Sequence, residues 1–193
     1  MKKILYCLLM ALSFAILSTS CSKDDEPELN TENTDDVEFD EDRKILVAYF
    51  SATGTTQRLA ERIAAATEAD IFRIEAANPY AENPYDDSDR IQNESYNNLR
   101  PAVKTLPDNI EDYDVIFVGS PIWWHNPAMV VCTFLESYGL KGKIIVPFFT
   151  YGATTYLQQS VDKIHEVTPE STHLSTYSGG DLNTWLRNIN ILN

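Results

Sequence analysis

Hydrophobic and polar positions along the chain follow two alternating periods. Ile45–Phe50 is an unbroken apolar run, the pattern of a strand covered on both faces. Thr56–Thr67 reads as a helix, because Leu59, Ala60, Ile63 and Ala64 recur on a single stripe. Ile71–Glu75 predicts a second strand. Residues 77–101 are polar, carry two Asn-Pro-Tyr turns and leave room for a helix over Ser88–Asn98. Asp114–Gly119 predicts another buried strand. In the next helix Asn126 is expected to cap the start, Pro127 to sit in the first turn and Gly139 to follow the end. Lys143–Phe149 is a fourth apolar strand, and Thr155–Val167 a helix with Leu157, Val161 and Ile164 on one face. Residues 172–178 form a weak strand. A last helix follows Asp181, with Leu182, Trp185, Leu186 and Ile189 at i, i+3, i+4 and i+7.

Strands alternating with helices imply an α/β fold, a parallel sheet with helices on both faces. Such sheets bind ligands at the carboxyl ends of strands, where the strand order reverses. The loops after the first, third and fourth strands are therefore the places to look.

Composition and charge add the organisation of the whole chain. Lys2 and Lys3 precede the apolar run Ile4–Leu17, and the small residues Ser18, Thr19 and Ser20 precede Cys21. Residues 1–20 read as an export signal whose apolar run is short for a membrane-spanning helix. A cysteine directly after small residues points to a bacterial lipoprotein signal, with lipid on Cys21. Cys132 is then the one cysteine left for the folded part, so no internal disulfide is expected. It lies in an apolar helix and reads as a buried, inert thiol. Residues 22–43 hold eleven acidic residues, opposed by Lys23 and Arg43 alone. They cannot bury enough apolar area to offset ordering, so 21–43 reads as a disordered tether. Residues 44–193 suit a single domain. The net charge of −14 argues against nucleic acid as a partner. The expected location is the bacterial cell envelope, with the membrane reached through the lipid.

Three loops carry candidate chemistry. Ser51-Ala52-Thr53-Gly54-Thr55-Thr56 lies between a buried strand and a helix N-terminus. The first helical turn offers unpaired N–H groups and partial positive charge, Gly54 permits a tight turn, and four hydroxyls add donors. Together they suit a phosphate monoester. The loop has neither the lysine nor the spacing of a nucleoside-triphosphatase loop, and it is not a G-x-G-x-x-G turn. In the second loop, Gly119–Met129, Trp123 and Trp124 are adjacent. One indole can pack into the core; the other points elsewhere and suits stacking on a flat aromatic ligand. The third loop contains Thr150, Tyr151 and Gly152. His125 reads as a surface residue beside a helix cap, His165 and His173 as surface residues, and Asp86, Asp87 and Asp89 as helix-capping groups. No catalytic or metal residue is assigned.

Ser51-x-Thr53-Gly54-x-Thr56 resembles the FMN phosphate loop of flavodoxins. The segment from Gly119 to Trp124 resembles the G-x-P-x-W-W stretch of flavodoxin-like bacterial lipoproteins. The sequences YNNLRP and WLRNINI are similar to features of this flavodoxin-like subfamily, and the acidic stretch after Cys21 resembles the tag of bacterial surface lipoproteins. The resemblance implies a flavodoxin-like, doubly wound, five-stranded parallel sheet of order 2-1-3-4-5 in a three-layer αβα sandwich. It implies FMN as cofactor, its phosphate on Ser51, Thr53, Gly54, Thr55 and Thr56. By the same resemblance Ser120, Pro121, Ile122, Trp123 and Trp124 contact the ring, and Thr150, Tyr151 and Gly152 form the second flavin loop, where Tyr151 could cover a ring face. The function implied is electron transfer to a redox partner protein or a small-molecule acceptor. An acidic, aromatic surround disfavours negative charge on the reduced ring and so implies a low potential. Three alternatives stay open. One is an FMN-dependent NAD(P)H:quinone or nitro-compound oxidoreductase, for which no obvious basic patch is visible. The others are a flavin-capturing surface lipoprotein and a partner-binding domain without cofactor. The leader carries no twin arginines, so export is expected in the unfolded state, with FMN acquired outside the cytoplasm.

Overall fold

The computed structural model describes residues 42–152 and 154–193. The export signal, most of the acidic tether, Cys21 and Ala153 lie outside the described residues. The sheet is built from β1 (Ile45–Tyr49), β2 (Asp70–Arg73), β3 (Val115–Trp123), β4 (Asn126–Pro127), β5 (Ile144–Thr150) and β6 (Thr172–His173). Its path is β2-β1-β3-β5-β6, parallel throughout, with β4 paired antiparallel to β3 beside it. With β4 set aside, the five main strands follow the expected 2-1-3-4-5 order. The helices are α1 (Thr55–Thr67), α2 (Ser88–Tyr96), α3 (Met129–Glu136), α4 (Leu157–Val167) and α5 (Leu182–Asn188).

The two-residue period of the strands divides the core into two layers. On one face Val47, Val115, Phe117, Val146 and Phe148 pack against Leu59 and Ile63 of α1 and Leu182 and Leu186 of α5. On the other, Leu46, Ala48, Ile116, Val118 and Ile145 pack against Val131, Phe134 and Leu135 of α3 and Val161 and Ile164 of α4. Successive residues of β1 therefore face opposite layers, which is why the strand is apolar without interruption. Gly119 has a steric reason. It pairs with Phe148 in register, and a Cβ there would lie 2.2 Å from the Phe148 ring.

Several boundaries differ from expectation. β3 runs on to Trp123, past the expected end at Gly119, and Asn126–Pro127 is not a helix start. Those two residues return antiparallel along β3, with Trp123 opposite Asn126 and Ile122 opposite Pro127. The intervening Trp124 and His125 have φ of 46° and 74°. This is a two-residue hairpin of the type that needs positive φ at both central positions. Helix α3 consequently begins at Met129, and it ends at Glu136, before Gly139. Asp87 does not cap α2 with its side chain; its carboxylate accepts the N–H of Ala81 and holds the preceding loop. Asn83 caps the short 3-10 turn Pro84–Asp87. His165 and His173 are stacked on each other at 4.0 Å, between α4 and the sheet edge, rather than standing free in solvent. Cys132 is buried, and burial pushes its thiol up to about 12, as expected of an inert group.

Candidate functional site

Helix α1 starts without a side-chain cap. Its N-cap is Gly54, in the left-handed region at φ 82°, and no acidic residue occupies the first turn. The N–H groups of Thr55, Thr56 and Gln57 therefore point out of the helix end without intrahelical acceptors. Ser51 is buried, and its Oγ accepts the Gly54 N–H at 3.1 Å, which folds the loop over the helix end. Thr53 and Thr55 approach each other through their hydroxyls at 3.3 Å. Thr56 is buried and shares a hydrogen bond of 2.8 Å with Thr150, tying the loop after β1 to the end of β5.

Beside this loop lies a cleft of about 560 Å³, within the range of cofactor pockets. Thr53 and Thr55 form one wall, Pro121 to Trp124 another, and Thr150, Tyr151 and Gly152 a third. The three loops named from sequence thus converge on one space. Ser51, Gly54, Thr56 and Ser120 do not line it. The first three shape the loop after β1. Ser120 is fully buried, and its Oγ accepts the Ala128 N–H at 2.9 Å, fastening the hairpin from behind.

The two indoles divide as their adjacency demands. Trp123 is half-buried and packs edge-on against Phe50 at 5.3 Å and Tyr80 at 5.1 Å. Trp124 is 37% exposed, and its nearest ring is Tyr96 at 5.8 Å. Tyr80 is in turn fixed by Glu94, which accepts its hydroxyl at 2.6 Å, and by the Arg90 guanidinium 4.0 Å over its ring. Burial, with the Glu94 hydrogen bond, drives the Tyr80 phenol well above its ordinary range, so it stays neutral. Tyr151 is also shifted up, mainly by burial, and donates to the Ser178 carbonyl at 3.3 Å. His125 does not line the cleft; its ring stacks on Tyr156 at 3.7 Å, so its placement is set by packing in the strained hairpin.

Sequence reasoning missed part of the wall. Asn83, Pro84, Tyr85, Ser88 and Ile91 close the side of the cleft facing the indoles. The signal was present in the repeated Asn-Pro-Tyr: the first places Tyr80 behind Trp123, and the second leaves Tyr85 87% exposed at the rim. Also missed was Arg58, whose guanidinium donates to the Thr55 hydroxyl at 3.2 Å.

An aromatic ring system with a phosphate tail fits this arrangement. The tail would meet helix N–H groups and threonine hydroxyls, and the ring would meet aromatic and apolar walls. The donor set is suited to a dianion and carries no carboxylate in the helix's first turn to repel it. Among the described residues no cluster of three or more histidine, cysteine or acidic side chains is placed to hold a metal ion.

Known structures share the architecture. A candidate flavoprotein from Bacteroides eggerthii is 37% identical, with a TM-score of 0.68 over 76% of this chain and 97% of its own. A second, from Bacteroides uniformis, is 31% identical, with a TM-score of 0.65 over 76% of this chain and 97% of its own. A flavoprotein from Lactobacillus acidophilus, solved in complex with FMN, shares the fold at 22% identity, with a TM-score of 0.65 over 74% of this chain and 98% of its own. No curated protein matches the chain. The model of the flavodoxin family matches residues 44–188, which span both core layers and all three cleft loops, and the chain belongs to that family.

Proposed function

We propose that the chain binds FMN in the cleft and works as an electron carrier held at the bacterial cell envelope by lipid on Cys21. The observation that carries the cofactor reading is the convergence of an uncapped helix N-terminus, threonine hydroxyls and paired indoles on one cleft of about 560 Å³. Thr53, Thr55 and the N–H groups of the first α1 turn would hold the phosphate. Trp123, Trp124, Tyr151 and Tyr85 would enclose the ring. FMN when bound supplies one- and two-electron redox chemistry. The chain's own contribution is orientation, exclusion of water and a field that opposes added negative charge, given the acidic composition and the aromatic walls. No proton-transfer group is required of the protein for this role.

Titration of the purified protein with FMN and with riboflavin tests the reading. FMN is expected to bind on the order of a hundredfold tighter, since two charge-assisted hydrogen bonds at about 1.5 kcal/mol each amount to that ratio. A protein that ignores added FMN overturns the reading. The low potential expected of the carrier further requires tighter binding of oxidised than of reduced flavin; equal affinities favour flavin capture instead. The anchor is tested separately: native protein is expected in the detergent phase on partitioning, and a Cys21→Ser variant in the aqueous phase.

A further inference from the structure

The cleft does not end at the phosphate loop. A second groove of about 390 Å³ continues from it past Thr55, Thr150 and Tyr151, which border both spaces. Its other walls include Arg58 and Arg62 from α1 and Tyr177 from the segment before α5. Arg58 and Arg62 are four residues apart and so follow one ridge of the helix, leading away from its N-terminus. Arg58 is folded back over the loop: its Nη2 donates to the Thr55 hydroxyl, and its Nη1 lies 3.5 Å from where a Gly54 Cβ would stand. Among the described residues neither arginine joins a salt bridge. The Asp181 carboxylate near Arg62 already accepts the backbone N–H and hydroxyl of Thr184. In a chain of net charge −14, two guanidiniums that close no salt bridge, lining a groove beside a phosphate site, are fitted to further anionic charge. Tyr177 and Tyr151 add aromatic faces on which a base can stack.

We propose that this groove is a nucleoside-phosphate subsite continuous with the flavin phosphate site. It rests on the flavin reading for its position, though not for its chemistry. Two sources supply the same chemistry: the adenylate half of FAD, covalently continuous with the flavin, or the free diphosphate moiety of a separate nucleotide.

Calorimetric titration separates them. FAD and FMN are titrated into unloaded protein, and ADP into FMN-loaded protein, each with wild type and with Arg62→Ala. Arg62 is exposed, so the variant is expected to fold as wild type does. FAD binding about tenfold tighter than FMN, with the advantage lost in Arg62→Ala and FMN affinity unchanged, assigns the groove to the dinucleotide. ADP binding to the loaded protein, again lost in Arg62→Ala, assigns it to a separate nucleotide. If FAD binds no tighter than FMN and ADP does not bind, the proposal is overturned; it is equally overturned if either binding is indifferent to Arg62. Protein that binds no flavin at all refutes the cofactor reading instead, and ADP titrated into that protein still reads the groove.

Discussion

At the residue scale the site depends on small groups that set backbone shape. Gly54 sits at φ 82°, and an added Cβ would meet nothing closer than the Arg58 guanidinium at 3.5 Å, an ordinary contact. The cost of Gly54→Ala is therefore conformational, about 1–2 kcal/mol. A matching fall in denaturation free energy is expected, with FMN affinity reduced as the loop relaxes; unchanged stability would show that the loop can refit around alanine. Thr56→Val keeps the shape and removes the hydroxyl bonded to Thr150. It should lower stability by about 1 kcal/mol, measurable in urea, and loosen the junction between the first and third loops. The hydroxyl cluster from Ser51 to Thr56 was legible in the sequence because its residues are contiguous and directly follow a buried strand. Arg58 was not, because a loop read by itself stops where the helix begins. Its inward fold over Gly54 is a consequence of helical geometry, visible only once Thr55 and Arg58 are placed one turn apart.

At the element scale the hairpin between β3 and β4 is the least legible part of the fold. Two-residue hairpins of this type usually announce themselves with Asn-Gly, which accepts positive φ easily. Here Trp124 and His125 occupy those positions, and Asn126-Pro127 imitates the start of a helix. Two side-chain-bearing residues in the left-handed region each cost about 1–2 kcal/mol. Ser95 helps to offset this by donating to the Trp124 carbonyl at 2.6 Å while accepting from Asn126. Strain of this kind at a cleft wall indicates that the position of the indole matters more than local stability. The substitutions Trp124→Asn and His125→Gly together should raise stability by about 1 kcal/mol, the relief of strain being partly offset by the lost Tyr156 stack. FMN affinity should fall at the same time. A double variant no more stable than wild type in thermal denaturation would mean the hairpin is not strained.

At the scale of the whole molecule, the alternation of buried strands and amphipathic helices was enough to read a parallel sheet covered on both faces, because each strand must feed two apolar layers, while the strand order came from the resemblance to flavodoxins. Patterning could not reveal how the sheet edge is closed. There β6 is two residues long, and its anchoring to α4 runs through side chains. His173 stacks on His165, and its Nε2 lies 2.8 Å from the Thr168 hydroxyl. Burial foremost, then the neighbouring imidazole, lowers the His173 pKa from 6.5 to about 4. The unfolded chain therefore takes up a proton at this position as pH falls below about 6.5, while the folded chain resists until about 4. Stability from the neutral His173 imidazole is fully present above pH 6.5 and is lost progressively as pH falls to about 4; below that this group adds no further slope. In His173→Gln, which cannot take a charge, the decline of stability across that window should be shallower than in wild type, whatever the offset at pH 7. Urea denaturation at several pH values between 7 and 4 measures both slopes. Parallel slopes would assign the acid sensitivity to other groups and leave the stacked pair a packing contact, with the sheet edge held chiefly by the backbone pairing of Ile144 with Thr172 and Ile145 with His173.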